Sequence, residues 1–256
     1  MIKINVKTKE RIIKGVKKFQ PVLNKAKQND INESDTVTII TDMLCDIFGY
    51  DKYENITSEF AIKKTYCDLA IKLDENIPLL IECKAIGMNL KDDFVRQATN
   101  YAAESGIEWV VLTNGILWNV YKISFAKSVE KELVYSFDML ELNTRKDQDV
   151  EALYYLCIEA FQKNSKNNLD EFYVQKQIFN RHIVGQLLLS DAIVGAIKRQ
   201  LRKLSPETKV SDEEIVSLMM TEILKRDIVE GEDCAEAKKK VQKLEKQLAK
   251  KEQPKE

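Results

Sequence analysis

The stretch Tyr66-Cys-Asp68-Leu-Ala-Ile-Lys-Leu-Asp74-Glu-Asn-Ile-Pro78-Leu-Leu-Ile-Glu82-Cys-Lys84-Ala85 decides how this chain reads. Residues 78–85 are a short apolar run holding two charges. Side chains on a strand alternate faces, so Leu80, Glu82 and Lys84 share one face while Ile81, Cys83 and Ala85 take the other. Glu82 and Lys84 are then same-side neighbours, roughly 6.5–7 Å apart along the strand. Charges inside an apolar strand are costly unless they are paired, solvated or bound to a metal. Residues 66–73 read as a preceding strand, joined by a short polar turn around Asp74–Asn76. If the loop is centred on Glu75, facing residues sum to 150 and Asp68 lies across from Glu82 on the same face. A loop of even length puts Cys83 opposite Asp68 instead and breaks the arrangement. The reading therefore predicts an odd loop, or a bulge with the same effect.

Two carboxylates and one ammonium on one patch suit phosphodiester hydrolysis. Asp68 and Glu82 are hard oxygen donors able to hold Mg²⁺ or Mn²⁺ with water completing the shell. Such an ion offsets charge on phosphate oxygens and lowers the pKa of an attacking water. Lys84 would orient that water or stabilise the developing negative charge. The bland alternative is a hairpin face carrying a surface Glu82–Lys84 salt bridge. Asp68, its spacing, the apolar setting and the helix that follows favour the site.

Outward from this hairpin the pattern is mixed. Apolar positions Ile12, Ile13, Val16, Phe19, Val22, Leu23 and Ala26 form a helical stripe over 8–28, where Pro21 either kinks the helix or starts a new one. A second helix is expected over 34–48, stopped at Gly49. Residues 56–73 alternate with β-branched and aromatic content, and 92–105 return to helical spacing. IEWVVL (107–112), Asn114-Gly115 and ILWNVYKI (116–123) predict a hairpin, and ELVYSF (132–137) a closing strand. From about 149 only helices are expected: 149–163, one or two over 171–203, and one opened by a capping box at Ser211-Asp-Glu-Glu214. The tail places Cys234, Ala237, Val241, Leu244 and Leu248 at 3,4 spacing, either a short coiled coil or a solvated helix.

Composition narrows the chemistry. The 256 residues are 44% hydrophobic and 32% charged, as in a folded protein with a charged surface. No apolar run approaches a membrane span, and the N-terminal segment lacks the pattern of a signal peptide, so a cytoplasmic protein is expected. The five cysteines are odd in number and form no CxxC pair, as expected of reduced core thiols. One histidine, His182, excludes a His-based zinc site and makes Ser/His/Asp or Cys/His catalysis hard to build; its apolar helical setting reads as structural. The net charge of −1 conceals +8 over residues 1–28 (nine Lys/Arg against one Glu) and +5 over 238–256 (eight Lys against three Glu). These basic ends either touch nucleic-acid phosphates or are solvated helix faces.

Asp68-x13-Glu82-Cys-Lys84 resembles the PD-(D/E)xK nuclease superfamily. More narrowly, residues 31–125 are similar to the N-terminal nuclease domain of type I restriction enzyme R subunits and their stand-alone relatives. The similarity is carried by a helix ending at Ile47-Phe48-Gly49-Tyr50, the aspartate strand, Ile81-Glu82-Cys83-Lys84, Gln97-Ala-Thr-Asn-Tyr101 and the hairpin around Thr113-Asn114-Gly115. The resemblance implies that Gln97 lies near metal and DNA backbone, beside Tyr101 on one helix face. It also implies an acidic residue from the first helix, for which Glu33 matches best and Glu59 is the alternative. The chain holds no G-x-x-x-x-G-K-[ST], so no P-loop motor is expected within these 256 residues.

The expected architecture is α/β: a mixed central sheet flanked by helices, a restriction-endonuclease-like core, with a C-terminal helical region. The expected segments are a basic helix over 1–30, the nuclease core over 31–140, helices over 149–230 and a Lys-rich tail over 231–256. The expected activity is Mg²⁺- or Mn²⁺-dependent DNA cleavage, endonucleolytic rather than exonucleolytic, in restriction or defence against foreign DNA. Asp68, Glu82, Lys84 and Gln97 would be catalytic, and Asp68, Glu82 and Glu33 would ligate the metal. DNA is the expected partner, with self-association through the C-terminal helices and no membrane. A non-cleaving nucleic-acid-binding module and a scaffold acting through its helical tail are the alternatives.

Overall fold

The computed structural model describes residues 2–62, 65–125, 129–162, 168–207 and 209–251, with the backbone alone at 61, 62, 65, 92, 97 and 244–251. It divides into two compact units, Met1–Tyr173 and Val174–Glu256.

The first unit is built on a six-stranded mixed sheet in sequential order. The strands are β1 (Ile56–Ile62), β2 (Thr65–Leu73), β3 (Asn76–Cys83), β4 (Trp109–Thr113), β5 (Leu117–Ser124) and β6 (Glu130–Asp138). Every neighbouring pair is antiparallel except β3 and β4, which are parallel because helix α3 (Asp92–Ser105) carries the chain back between them. In the β2–β3 hairpin Leu69 faces Ile81, Ala70 faces Leu80 and Ile71 faces Leu79, so facing residues sum to 150. The turn itself has an even loop, with Leu73 facing Asn76 and Asp74 at φ 54°; a bulge between Ile71 and Leu73 restores the register. The bulge alternative is thus the one realised.

One sheet face carries Leu69, Ile71, Leu79, Ile81, Val111 and Trp118, packed against α1 (Val6–Gln28) and α2 (Glu33–Asp46). The other carries Ala70, Leu80, Val110 and Leu112 beneath Val95, Ala98, Tyr101 and Ala102 of α3. The predicted stripe of α1 buries Ile12, Val16, Phe19, Leu23 and Ala26, while Val22 is 39% exposed. Pro21 sits inside a continuous α1. The helix tolerates the lost donor because five apolar side chains on that stripe hold it to the sheet. The Arg11 guanidinium donates to Ile47 O and Phe48 O and pairs with Glu159 of α5 (Ile158–Phe161), closing the end of α2. Gly49 there has φ +83°, a left-handed backbone that other residues rarely adopt, and a Cβ would also fall 2.5 Å from the guanidinium carbon. Helix α4 (Asp147–Tyr154) contributes Val150 and Leu153 to the same core.

Helix α6 (Asn168–Ile178) spans the division between the units, its Phe172 and Tyr173 packing against the first core. The second unit holds α7 (Arg181–Leu188), α8 (Asp191–Leu204), α9 (Asp212–Leu218), a π-helical turn (Met219–Ile223), α10 (Arg226–Val229) and α11 (Glu232–Lys251). Residues 171–203 therefore form three helices rather than one or two. Asn180 breaks the run by accepting from His182 N and Ile183 N as an N-cap, and Ser190 stands at the N-cap position of the next helix with its hydroxyl donating back to Leu187 O. The Ser211–Glu214 capping box forms as read. Cys234, Ala237 and Val241 of the tail stripe are buried, and Ala237 and Val241 pack against Ile183 of α7. The described part of that stripe is thus occupied within the unit; the side chains of Leu244 and Leu248 lie outside the described residues. No described helix is long and apolar enough to cross a membrane.

Candidate active site at the end of strand β3

The last regular pair of the β2–β3 ladder is Leu69–Ile81. One step further, where Asp68 and Glu82 would face each other, the side chain of Asp68 takes over from the backbone. Its Oδ2 accepts the Cys83 amide at 2.7 Å. On the other flank Lys84 N donates to Thr113 O at 2.9 Å, extending the parallel β3–β4 ladder past the end of the strand. Glu82 and Lys84 are thereby fixed on both sides.

Glu82 points to the α3 side of the sheet and is 1% exposed. Its Oε1 accepts from Lys84 Nζ at 2.8 Å; its Oε2 is buried with no hydrogen-bond partner among the described residues. Burial, reinforced by the charges of Asp68 and Glu33, pushes the Glu82 carboxyl up to about 7 against the opposing pull of Lys84. Burial works against the Lys84 ammonium as well. The hydrogen bond to Glu82 and the charges of Glu82, Glu33 and Asp68 outweigh it, so Lys84 titrates above an ordinary lysine. The ammonium also lies 5.7 Å from the Phe94 ring of α3.

Glu33, the first residue of α2, reaches Lys84 Nζ at 3.8 Å and is half-exposed. Asn32 caps that helix by accepting from Asp35 N. Thr36, one turn along, donates to Asn32 O and accepts from Ile86 N, tying α2 to the segment just after Lys84. Asn114 donates to Ile86 O and Met88 O from the other side. Gly87 passes so close to Asp30 that a Cβ would lie 2.3 Å from its Oδ1.

The fold therefore brings Asp68, Glu82 and Lys84 together, with Glu33 at the outer edge of Lys84. They do not make a ready three-carboxylate cage: among the described residues no three His, Cys, Asp or Glu side chains converge as a metal site. The reason is local. Asp68 has one oxygen on the Cys83 amide, and the Lys84 ammonium stands between Glu82 and Glu33. Glu59 lies on β1 in the register position facing Asp68, between the pairs Ser58–Leu69 and Phe60–Cys67. It is exposed, at φ 50°, and no hydrogen bond or ion pair among the described residues links it to Glu82 or Lys84. The side chain of Gln97 lies outside the described residues, while Tyr101 on the same helix is 5% exposed in the α3 core. His182 belongs to the second unit. Sequence reasoning did not foresee Thr36 and Asn114 as anchors. Asn114 read only as half of a turn, and the signal for Thr36 lay in its position three residues after Glu33.

Residues 38–135 match the family described as type I restriction enzyme R protein N terminus. The matched stretch runs from α2 into β6 and contains Asp68, Glu82, Lys84 and all of α3, but not Glu33. Over these residues the chain is similar to the R-protein N-terminal domain. No curated protein and no solved structure matches the chain.

Proposed function

We propose that this protein is a nuclease that hydrolyses DNA phosphodiester bonds at the end of β3, with Mg²⁺ or Mn²⁺ as cofactor. The observation that carries the reading is Glu82: a buried carboxylate with one oxygen without a hydrogen-bond partner among the described residues, beside Asp68 and Lys84. Buried polar atoms are nearly always satisfied, so the vacant acceptor fits a cation ligand. Asp68 and Glu82 would hold the ion, with Glu33 nearest to supply a third carboxylate. When bound, the ion would offset charge on the phosphate and acidify a water. Asp68 and the Cys83 amide keep the two carboxylates in place. Lys84 donates toward the attacking water or the developing charge, and Glu82 holds that ammonium at 2.8 Å. Gln97 would act from α3 near the phosphate. The similarity over residues 38–135 supports a role in restriction or defence, and endonucleolytic action in the cytoplasm completes the proposal.

A second reading has its own observation. Asp68 and Lys84 already have protein partners, so the cluster also fits a non-cleaving DNA-binding module. Cleavage of supercoiled and linear DNA in Mg²⁺ or Mn²⁺, by wild type, Asp68→Ala and Lys84→Ala, separates the two. Loss of cutting in both folded variants supports the nuclease. DNA binding that survives chelation, with no cutting under either ion, supports the module.

A further inference from the structure

Helix α8 presents two different faces. Val194 is buried, and Ile197 and Leu201 pack on the same cluster, against Ile215 and Met219 of its own unit. Away from that cluster Arg199, Arg202 and Lys203 are exposed, spaced so that Arg199 neighbours both Arg202 and Lys203 on the helix surface. None of the three has an ion pair among the described residues, whereas Lys198 on the flank is bonded to Asp212 at 3.0 Å. No acidic residue occurs between Asp191 and Glu207. Ala192 and Gly195 continue the face toward the helix start, so little side-chain bulk stands beside the cations. Compensation of the helix dipole accounts for cations in the last turn, such as Arg202 and Lys203, but not for Arg199 further back.

We propose that this face of α8 is a phosphate-binding surface for duplex DNA. The inference rests on the nuclease reading and assigns part of the DNA grip to the second unit, outside the matched residues 38–135. Guanidinium groups at two of three positions suit bidentate contact with phosphate oxygens. A membrane surface is disfavoured because Val194, Ile197 and Leu201 of α8 are used inside the unit, and the exposed Ile193 and Leu204, at opposite ends of the helix, form no continuous apolar stripe to enter lipid.

The test is fluorescence anisotropy of a labelled 30-base-pair duplex with the full chain in EDTA, across a salt series. The triple variant Arg199→Ala, Arg202→Ala, Lys203→Ala keeps strong helix formers at each position. Its affinity should fall at least about tenfold, and the slope of log K against log salt should shrink by about 2.7 for three lost contacts. Arg199→Lys with Arg202→Lys should keep that slope. An unchanged affinity and slope in the folded triple variant, while wild type binds and cuts DNA, overturns this inference alone. Retention of wild type on phosphatidylglycerol vesicles but not on the duplex also overturns it. A wild type that neither binds nor cuts DNA in Mg²⁺ defeats the nuclease reading itself.

Discussion

Two partly buried ion pairs in the first unit differ in how completely they are satisfied. Arg11 and Glu159 form a fork, Nη1 to Oε1 at 2.7 Å and Nη2 to Oε2 at 2.8 Å, and Thr8 Oγ1 adds a third bond to that carboxylate. Burial pushes the Glu159 carboxyl up, but the bonds from Arg11 and Thr8 prevail and it titrates below an ordinary glutamate. Lys84 and Glu82 share one bond, Glu82 Oε2 has no hydrogen-bond partner among the described residues, and the carboxyl rises to about 7. Both pairs are a cation against a carboxylate. The first closes its own hydrogen bonds and holds α1 to the core; the second leaves an acceptor open at the end of a strand. A pair built for stability is complete without help, and an incomplete one in a well-packed core points to a missing ligand.

The largest effect that would break this comparison is catalytic. Asp68→Ala and Lys84→Ala are expected to lower DNA cleavage at least about 100-fold per folded molecule, with some loss of melting temperature because they strand the Cys83 amide and the buried Glu82 respectively. Arg11→Ala should leave the cleavage rate per folded molecule essentially unchanged. Plasmid nicking with parallel circular dichroism checks both. Arg11→Ala should instead cost stability, about 3 kcal/mol, because it strands Glu159 in a partly buried site. Urea denaturation measures this, and a loss below about 1 kcal/mol would erase the contrast.

Next comes the pH dependence, where the two carboxylates have opposite signs. Glu159, held below its ordinary value of 4.5, contributes stability above that pH and loses it as pH falls through its folded pKa. Glu82, raised to about 7, contributes stability that is complete below 4.5 and is lost as pH rises through about 7 in the absence of cation. A cation needs the ionised carboxylate, so the rise in melting temperature caused by Mg²⁺ should grow from pH 6 to pH 8, with a midpoint near 7. Glu82→Gln should flatten both profiles. The smallest effect is a control remote from either pair. Ser211→Ala removes a capping box in the second unit and should cost about 1 kcal/mol, measured by chemical denaturation, with no change in cleavage.

Much of this arrangement was legible in the sequence. The alternation of residues 78–85 and the facing sum of 150 placed Glu82 opposite Asp68 because strand period and register leave few options. What periodicity did not reveal was where the extra residue goes. Asp74 turns the chain in an even loop and a bulge near Ile71 compensates. Nor did it reveal that the strands part at Asp68, whose carboxylate takes the Cys83 amide. An apolar stripe shows that a helix needs a partner without naming it. Val241 and Ala237 therefore read equally as a coiled-coil seam, whereas the partner is α7. The helices over 147–161 likewise read as the start of a separate helical region, yet Val150, Leu153 and Ala160 lie in the sheet's own core. Glu33 sits outside the matched residues, and only the fold brings it within 3.8 Å of Lys84.

Manganese binding tests the central claim most directly. Mn²⁺ titrated into the full chain at pH 8 and followed by electron paramagnetic resonance should show a bound ion in wild type. Glu82→Gln should weaken that binding at least about tenfold, and Arg11→Ala should leave it unchanged. Equal binding by wild type and Glu82→Gln, or none by wild type, would contradict the reading of Glu82 as a carboxylate left open for a cation.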